Sequence, residues 1–348
     1  MGTFAASRIG GSLPSAVTSS CHAPSMRAVV CNEFAPIDQL VIEERPDPTP
    51  GSGKVVVAVR AAGVNFVDGL FVQGKYQIKP PLPFTPGGEV AGDIVAVGDG
   101  VDSLAVGDRV LAMPWLGGFA SHVELAATGV VPIPGDLSYG QAAALVQSYG
   151  TMLFSLTRRM QVRAGEWVLV LGAGGGIGLA AIDVARHLGA HVIAAASSEE
   201  KLAAAKAAGA EATIAYETED LKVRAREISG GGVDVVVDPV GGRFADAALR
   251  SLGWMGRYLV IGFAGGPIPA LPANQVLLNN RTVVGIDWGA WTMRDPDGNR
   301  DLLAELMALA GSGELHPVEP TGYPLTEVVR ALTDLQERRA AGKVVLVP

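Results

Sequence analysis

A chain of 348 residues is long enough for two domains with separate cores, and its 49% hydrophobic and 18% charged residues describe a globular protein. Its 35 acidic and 27 Lys/Arg residues leave a formal charge of −8 without a basic cluster, which argues against a nucleic-acid partner. The two cysteines, Cys21 and Cys31, form no disulfide framework and suit a reducing cytoplasm. The uncharged runs 137–157 and 258–280 are too polar, or too broken by Gly and Pro, to span a membrane.

Residues 1–25 are rich in Ser, Gly and Ala, with Arg8 as the lone Lys/Arg and no acid, so a disordered extension is expected there. A targeting segment, or a working start at Met26, are the alternatives. From residue 26 to about 126, β-like runs at 26–31, 54–61, 89–97, 109–111 and 119–124 alternate with Gly/Pro turns, the pattern of a mostly antiparallel β domain. The first helix signals come at 138–156.

At Trp167 the rhythm changes to alternating strand and helix, which predicts a doubly wound parallel sheet, an α/β fold. The apolar run 167–171 reads as a buried strand. Gly172, Gly174, Gly175, Gly176 and Gly178 follow, and then Ile177, Ala181, Val184 and Leu188 mark one helical face that Gly189 ends. Glycines between a strand and a helix let backbone amides approach a pyrophosphate. The spacing is GxxGxxG at Gly172, Gly175 and Gly178, because Ile177 takes the last slot of the commoner GxGxxG string. A second strand at 192–196 leads to Ser197 and Glu200, a capping-box pair opening a helix that Gly209 closes. Strands at 212–214, 233–238 and 258–262, an edge strand at 282–286 and a last strand at 344–347 follow. Helices fall at 221–228, 245–252, 302–310 and 327–338.

Where an Asp or Glu often binds the ribose diol of NAD, this chain has Ala196, followed by Ser197, Ser198 and Lys201. Two hydroxyls and an ammonium suit a 2′-phosphate, so NADP(H) is expected over NAD(H). No GxSxG elbow or GxxxxGK[ST] loop is present, and no Tyr is followed four residues later by Lys.

With these residues in hand, the chain from Met26 to Pro348 resembles the zinc-free quinone oxidoreductase (zeta-crystallin-like) branch of the medium-chain dehydrogenase/reductases. The resemblance is carried by Gly63-Val64-Asn65-Phe66-Val67-Asp68, Pro83-Phe84-Thr85-Pro86-Gly87 and Val106-Gly107-Asp108-Arg109-Val110. The glycine turn, Asp238-Pro239-Val240-Gly241-Gly242 and Gly342-Lys343-Val344-Val345 complete it. It implies a GroES-like β domain over 26–148, completed by 290–348, and a Rossmann NADP-binding domain over 149–289. The cofactor would lie in the cleft between them, and the protein would be a homodimer.

By the same resemblance, Asn65 lies near nicotinamide and substrate, and Tyr76 matches one of two pocket tyrosines, the other being Leu70 here. Thr151, Lys201, Tyr216, Val240, Phe263 and Lys343 correspond to cofactor contacts. In zinc relatives a Cys stands at Asn65 and a His at Gly88, so no metal is expected; His187 and His191, four apart, are separated by Gly189. The reaction implied is hydride transfer from NADPH to a small-molecule quinone or enone, with Tyr76, Tyr149 or water as proton donor. An acyl-CoA enoyl-type reductase and a low-turnover, crystallin-like NADPH-binding protein are the alternatives.

Overall fold

The computed structural model describes residues 1–2 and 25–348, so the expectation of a disordered leader falls on residues 3–24, outside it. The first part of the chain runs β1 (Ser25–Val30), β2 (Val41–Pro46), β3 (Lys54–Val64), α1 (Phe66–Val72), β4 (Glu89–Val97), β5 (Arg109–Ala112), β6 (His122–Ala126) and β7 (Val130–Pro132). A long helix, α2 (Tyr139–Leu153), leads into β8 (Trp167–Leu171), α3 (Gly176–His187), β9 (His191–Ala196), α4 (Glu199–Ala207), β10 (Ala212–Ala215) and α5 (Leu221–Ile228). Then come β11 (Val233–Asp238), α6 (Ala245–Ser251), β12 (Leu252–Val260), α7 (Ala273–Leu277) and β13 (Thr282–Gly285). The last part is α8 (Trp288–Arg294), α9 (Pro296–Ser312), β14 (Thr321–Pro324), α10 (Val328–Gln336) and β15 (Val344–Val347).

Among the described residues the strands form three sheets, one of them the β1–β2 pair. The six-stranded sheet is parallel throughout, in the order β10-β9-β8-β11-β12-β13. Its central strands are apolar on both faces because helices cover both; Val168, Leu169, Val170 and Leu171 have no exposure. Strand order reverses between β8 and β11, and such a switch point opens a crevice at the carboxyl ends of the strands. The other large sheet runs β14-β15-β3-β4-β5-β7, with β6 also on β3, and is antiparallel except for the β14–β15 pair.

The return of the chain to the first sheet, implied by resemblance alone, is made by β15, which pairs antiparallel with β3 through Val344–Val64 and Val345–Gly63. α9 instead lays Leu302 and Leu306 into the same core cluster as Leu145 of α2 and Val168 of β8. Among the described residues no helix is long and apolar enough to cross a membrane.

Three local expectations are corrected. The strand at 119–124 lies at His122–Ala126, because Phe119 and Ala120 are used to bridge β1 instead. α1 precedes the helix expected to be first; Asn65 caps it, with Asp68 completing a reciprocal capping box. The cap of α4 is Ser198, whose hydroxyl accepts from the Lys201 amide at 3.4 Å, and not Ser197, which β9 leaves beside Tyr216.

Candidate active site

At the switch point, β8 is followed by Gly172 at φ +58°, a conformation a Cβ would oppose. The Gly175 amide returns to the Gly172 carbonyl at 3.0 Å, and α3 begins with no side-chain cap. Its first-turn amides are therefore free to meet an anion. Space is as tight as a cofactor cradle requires: a Cβ at Gly178 would lie 2.4 Å from the Gly172 carbonyl oxygen. A Cβ at Gly174 would lie 2.5 Å from the Lys201 Cβ. Across the switch, Asp238 is buried and its carboxylate accepts the amides of Val240 (2.7 Å) and Gly241 (2.8 Å) and the Tyr258 hydroxyl. This fixes Val240 against Gly172 and Phe263 behind Gly241. Ile177 is half-buried, packed on the core below.

One end of the crevice gathers Ser197, Lys201 and Tyr216. The Tyr216 ring lies on Phe244 at 4.2 Å, with its hydroxyl close to Ser197. The Lys201 ammonium donates to the carbonyl of Arg338 at 2.6 Å, and burial followed by the Arg338 charge lowers its pKa. Arg338 and Arg243 line an adjoining cavity of ≈ 310 Å³ with Gly241, Phe244, Gly265 and Pro267. Sequence reasoning missed both arginines: Arg338 lies 137 positions from Lys201, and no local pattern links the two.

The other end holds a buried charged cluster. Asn65 donates from Nδ2 to Glu89 at 3.0 Å, and its Oδ1 accepts from the Lys343 ammonium, which also donates to Glu89. Glu89 has no side-chain exposure and Lys343 9%, and the second Glu89 oxygen accepts the Gln147 amide at 2.9 Å. Asp68 lies beneath and accepts the Asn65 amide at 2.7 Å. Glu89 was also missed, although an acid opening an apolar strand is the available signal.

Lys343 joins the two ends: its neighbour Gly342 donates to the Gly174 carbonyl at 2.8 Å and bridges Gly175. Three candidates, Tyr76, Thr151 and Tyr149, make no hydrogen bond with Asn65, Glu89 or Lys343. Tyr76 packs on Phe71 at 4.8 Å, its phenol pushed up in pKa by burial and then by Asp287. Thr151 is buried and spends its hydroxyl on the Gln147 carbonyl at 2.6 Å within its own helix. Tyr149 donates to Asp183 at 3.1 Å.

Residues 51–144 match the alcohol dehydrogenase GroES-like domain, and residues 176–308 match the zinc-binding dehydrogenase family. The donors here do not fit zinc: Asn65 offers an amide, Gly88 nothing, and Glu89 is already held by an ammonium. Among the described residues no three His, Cys, Asp or Glu side chains gather as a metal cage. The chain is 39% identical to the quinone oxidoreductase-like protein 2 homolog of Nematostella vectensis, over 92% of its own length and 89% of the relative's. A mycobacterial protein complexed with NADPH has a TM-score of 0.85 at 33% identity, covering 93% of this chain and 100% of that one. Escherichia coli quinone oxidoreductase, also complexed with NADPH, has a TM-score of 0.82 at 29% identity, covering 92% and 100%. On these matches, with a glycine cradle at the switch point of a Rossmann sheet, the chain belongs to the medium-chain dehydrogenase/reductase family, among its quinone oxidoreductase-like members.

Proposed function

We propose that this protein reduces a quinone or a carbonyl-activated alkene with NADPH, and that it does so without zinc. The observation that carries this reading is the Gly342-Lys343 step, which touches the glycine turn on one side and Asn65 with Glu89 on the other. Phosphate cradle and junction cluster thus form one continuous surface. NADPH supplies the hydride. The turn from Gly172 through Gly178 and the free amides of α3 receive the pyrophosphate, while Ile177, Val240 and Phe263 back it. Lys201, Ser197 and Tyr216, with Arg338, receive the 2′-phosphate, and Lys201 exchanges a carbonyl partner for a charged one.

Asn65, Thr151 and Lys343 border the nicotinamide side, where the Lys343–Glu89 ion pair holds the Asn65 amide in place. No Lewis acid is needed, because a quinone or enone delocalises incoming charge and mainly has to be positioned. Each turnover adds one hydride and one proton to the acceptor. Tyr149 is committed to Asp183, whereas the Tyr76 phenol stays protonated at neutral pH and can follow the hydride with its proton. A cytoplasmic homodimer completes the proposal; the exposed apolar edge at β13 supports the dimer.

The test is NADPH oxidation followed by absorbance with a benzoquinone, a naphthoquinone, an enal and an enone, in EDTA, with NADH in parallel. Turnover preferring NADPH is expected. Lys201→Ala should raise the KM for NADPH about tenfold while changing that for NADH little, since a charged hydrogen bond contributes roughly 1.5–3 kcal/mol. NADPH binding without turnover of any acceptor would leave a cofactor-binding module as the better account.

A further inference from the structure

Trp115 sits at φ 68°, the left-handed region, where a bulky side chain is strained. Its loop is pinned in place: the amides of Gly117 and Gly118 donate to the carbonyls of Thr85 (2.8 Å) and Gly87 (3.0 Å). The indole is thereby held over Gly289, where a Cβ would lie 2.8 Å from the ring. The Trp115 carbonyl faces Gly88, and a Cβ at Gly88 would meet nothing nearer than that oxygen at 3.5 Å. The Trp115 carbonyl and the Gln147 side chain thus flank Gly88 at contact distance, which sets Trp115 next to Glu89 of the junction cluster.

Asp287 lies at the ring end of Trp115, beside Gly289. Its carboxylate is 3.8 Å from a Cβ at Gly289, and its charge reaches the phenol of Tyr76. Asp287 also caps α8, accepting the Ala290 amide at 2.9 Å, so its charge is anchored. An aromatic ring and an anchored anion thus stand together beside Gly289, with the Tyr76 phenol within range of that charge.

We propose that Trp115 and Asp287 select the acceptor: Trp115 offers an aromatic face to a planar ring, and the Asp287 carboxylate rejects acceptors that carry negative charge. This rests on the reductase reading above. Acyl-CoA thioesters, with their phosphates, would be disfavoured, and uncharged ring acceptors preferred.

The test compares a neutral naphthoquinone, its sulfonate and an acyclic enal with the wild type, Asp287→Asn and Trp115→Ala. Asn retains the helix cap, and NADPH titration checks that each variant still folds and binds cofactor. Intrinsic acceptor reactivity cancels when ratios are compared between enzyme forms. Asp287→Asn should raise the sulfonate-to-neutral ratio of kcat/KM about tenfold, less so at high salt. Trp115→Ala should lower the naphthoquinone-to-enal ratio by roughly tenfold, as loss of a stacking face implies. Ratios that move less than about twofold would overturn the proposal. If the wild type binds NADPH yet reduces nothing, the reductase reading fails. The selectivity is then read from calorimetric binding of the two naphthoquinones to the NADP⁺-loaded protein, where unchanged ratios overturn it.

Discussion

Asp68 lies fully buried below the junction cluster, where burial pushes its acid up to about 7; the Asn65 and Gly87 amides and the Lys343 charge offset this in part, and Glu89 adds to it. Its unfolded value is near 3.9, so the native state favours the protonated form. The stabilisation is fully present below about pH 4 and is lost as pH rises through about 7. At 1.36 kcal/mol per unit, the whole window is on the order of 4 kcal/mol. Asp68→Asn should flatten the fall in melting temperature between about pH 4 and 8; a variant that keeps the wild-type slope would refute this role for Asp68. Asp238, raised by burial as well, contributes with the same sign and leaves some slope behind. Asp68 shows how much of a residue's part was legible: the Asn65-x-x-Asp68 spacing is a capping signal in sequence. The carboxylate's burial beside Glu89 and Lys343 depends on contacts from 24 and 278 positions away from Asn65, which no local pattern reports.

Among the elements, the β8–turn–α3 unit was the most legible, because its signals are local. An apolar run must be buried, closely spaced glycines permit the turn, and a 3.6-residue stripe must face the sheet. Gly178→Ala would drive a methyl to 2.4 Å from the Gly172 carbonyl oxygen, and backbone on both sides cannot yield cheaply. The expected result is a loss of roughly 1–3 kcal/mol in denaturant unfolding. NADPH binding should weaken at the same time, read by fluorescence titration. Unchanged binding in a folded variant would mean that the turn is not the cradle. α1 escaped notice because a seven-residue helix carries too few apolar repeats to reveal a period, and α4 was misread by one residue where two serines adjoin.

At the scale of the molecule, the six-stranded sheet ends at β13, beside which Leu277, Leu278 and Val283 are exposed, with Trp254 and Met255 on the adjoining β12. Such an apolar edge is a template for pairing with another copy. Light scattering should give a dimer mass at micromolar concentration, and Leu277→Lys with Val283→Lys should give a monomer with an intact fold. A wild-type monomer would remove the homodimer from the proposal.

The sequence by itself determined the parallel sheet, the glycine turn and the preference for a phosphorylated cofactor, since each follows from neighbours within about one turn or one strand. Tertiary structure decided what those parts surround. The meeting of Lys201 with Arg338, of Lys343 with Asn65 and Glu89, and of Trp115 with Asp287 and Gly289 depends on the last part of the chain folding back across the crevice. Periodicity reports which face of an element is buried, but not which distant element covers it. The residues proposed to bind cofactor and select acceptor therefore become neighbours only once both sheets have closed around the junction.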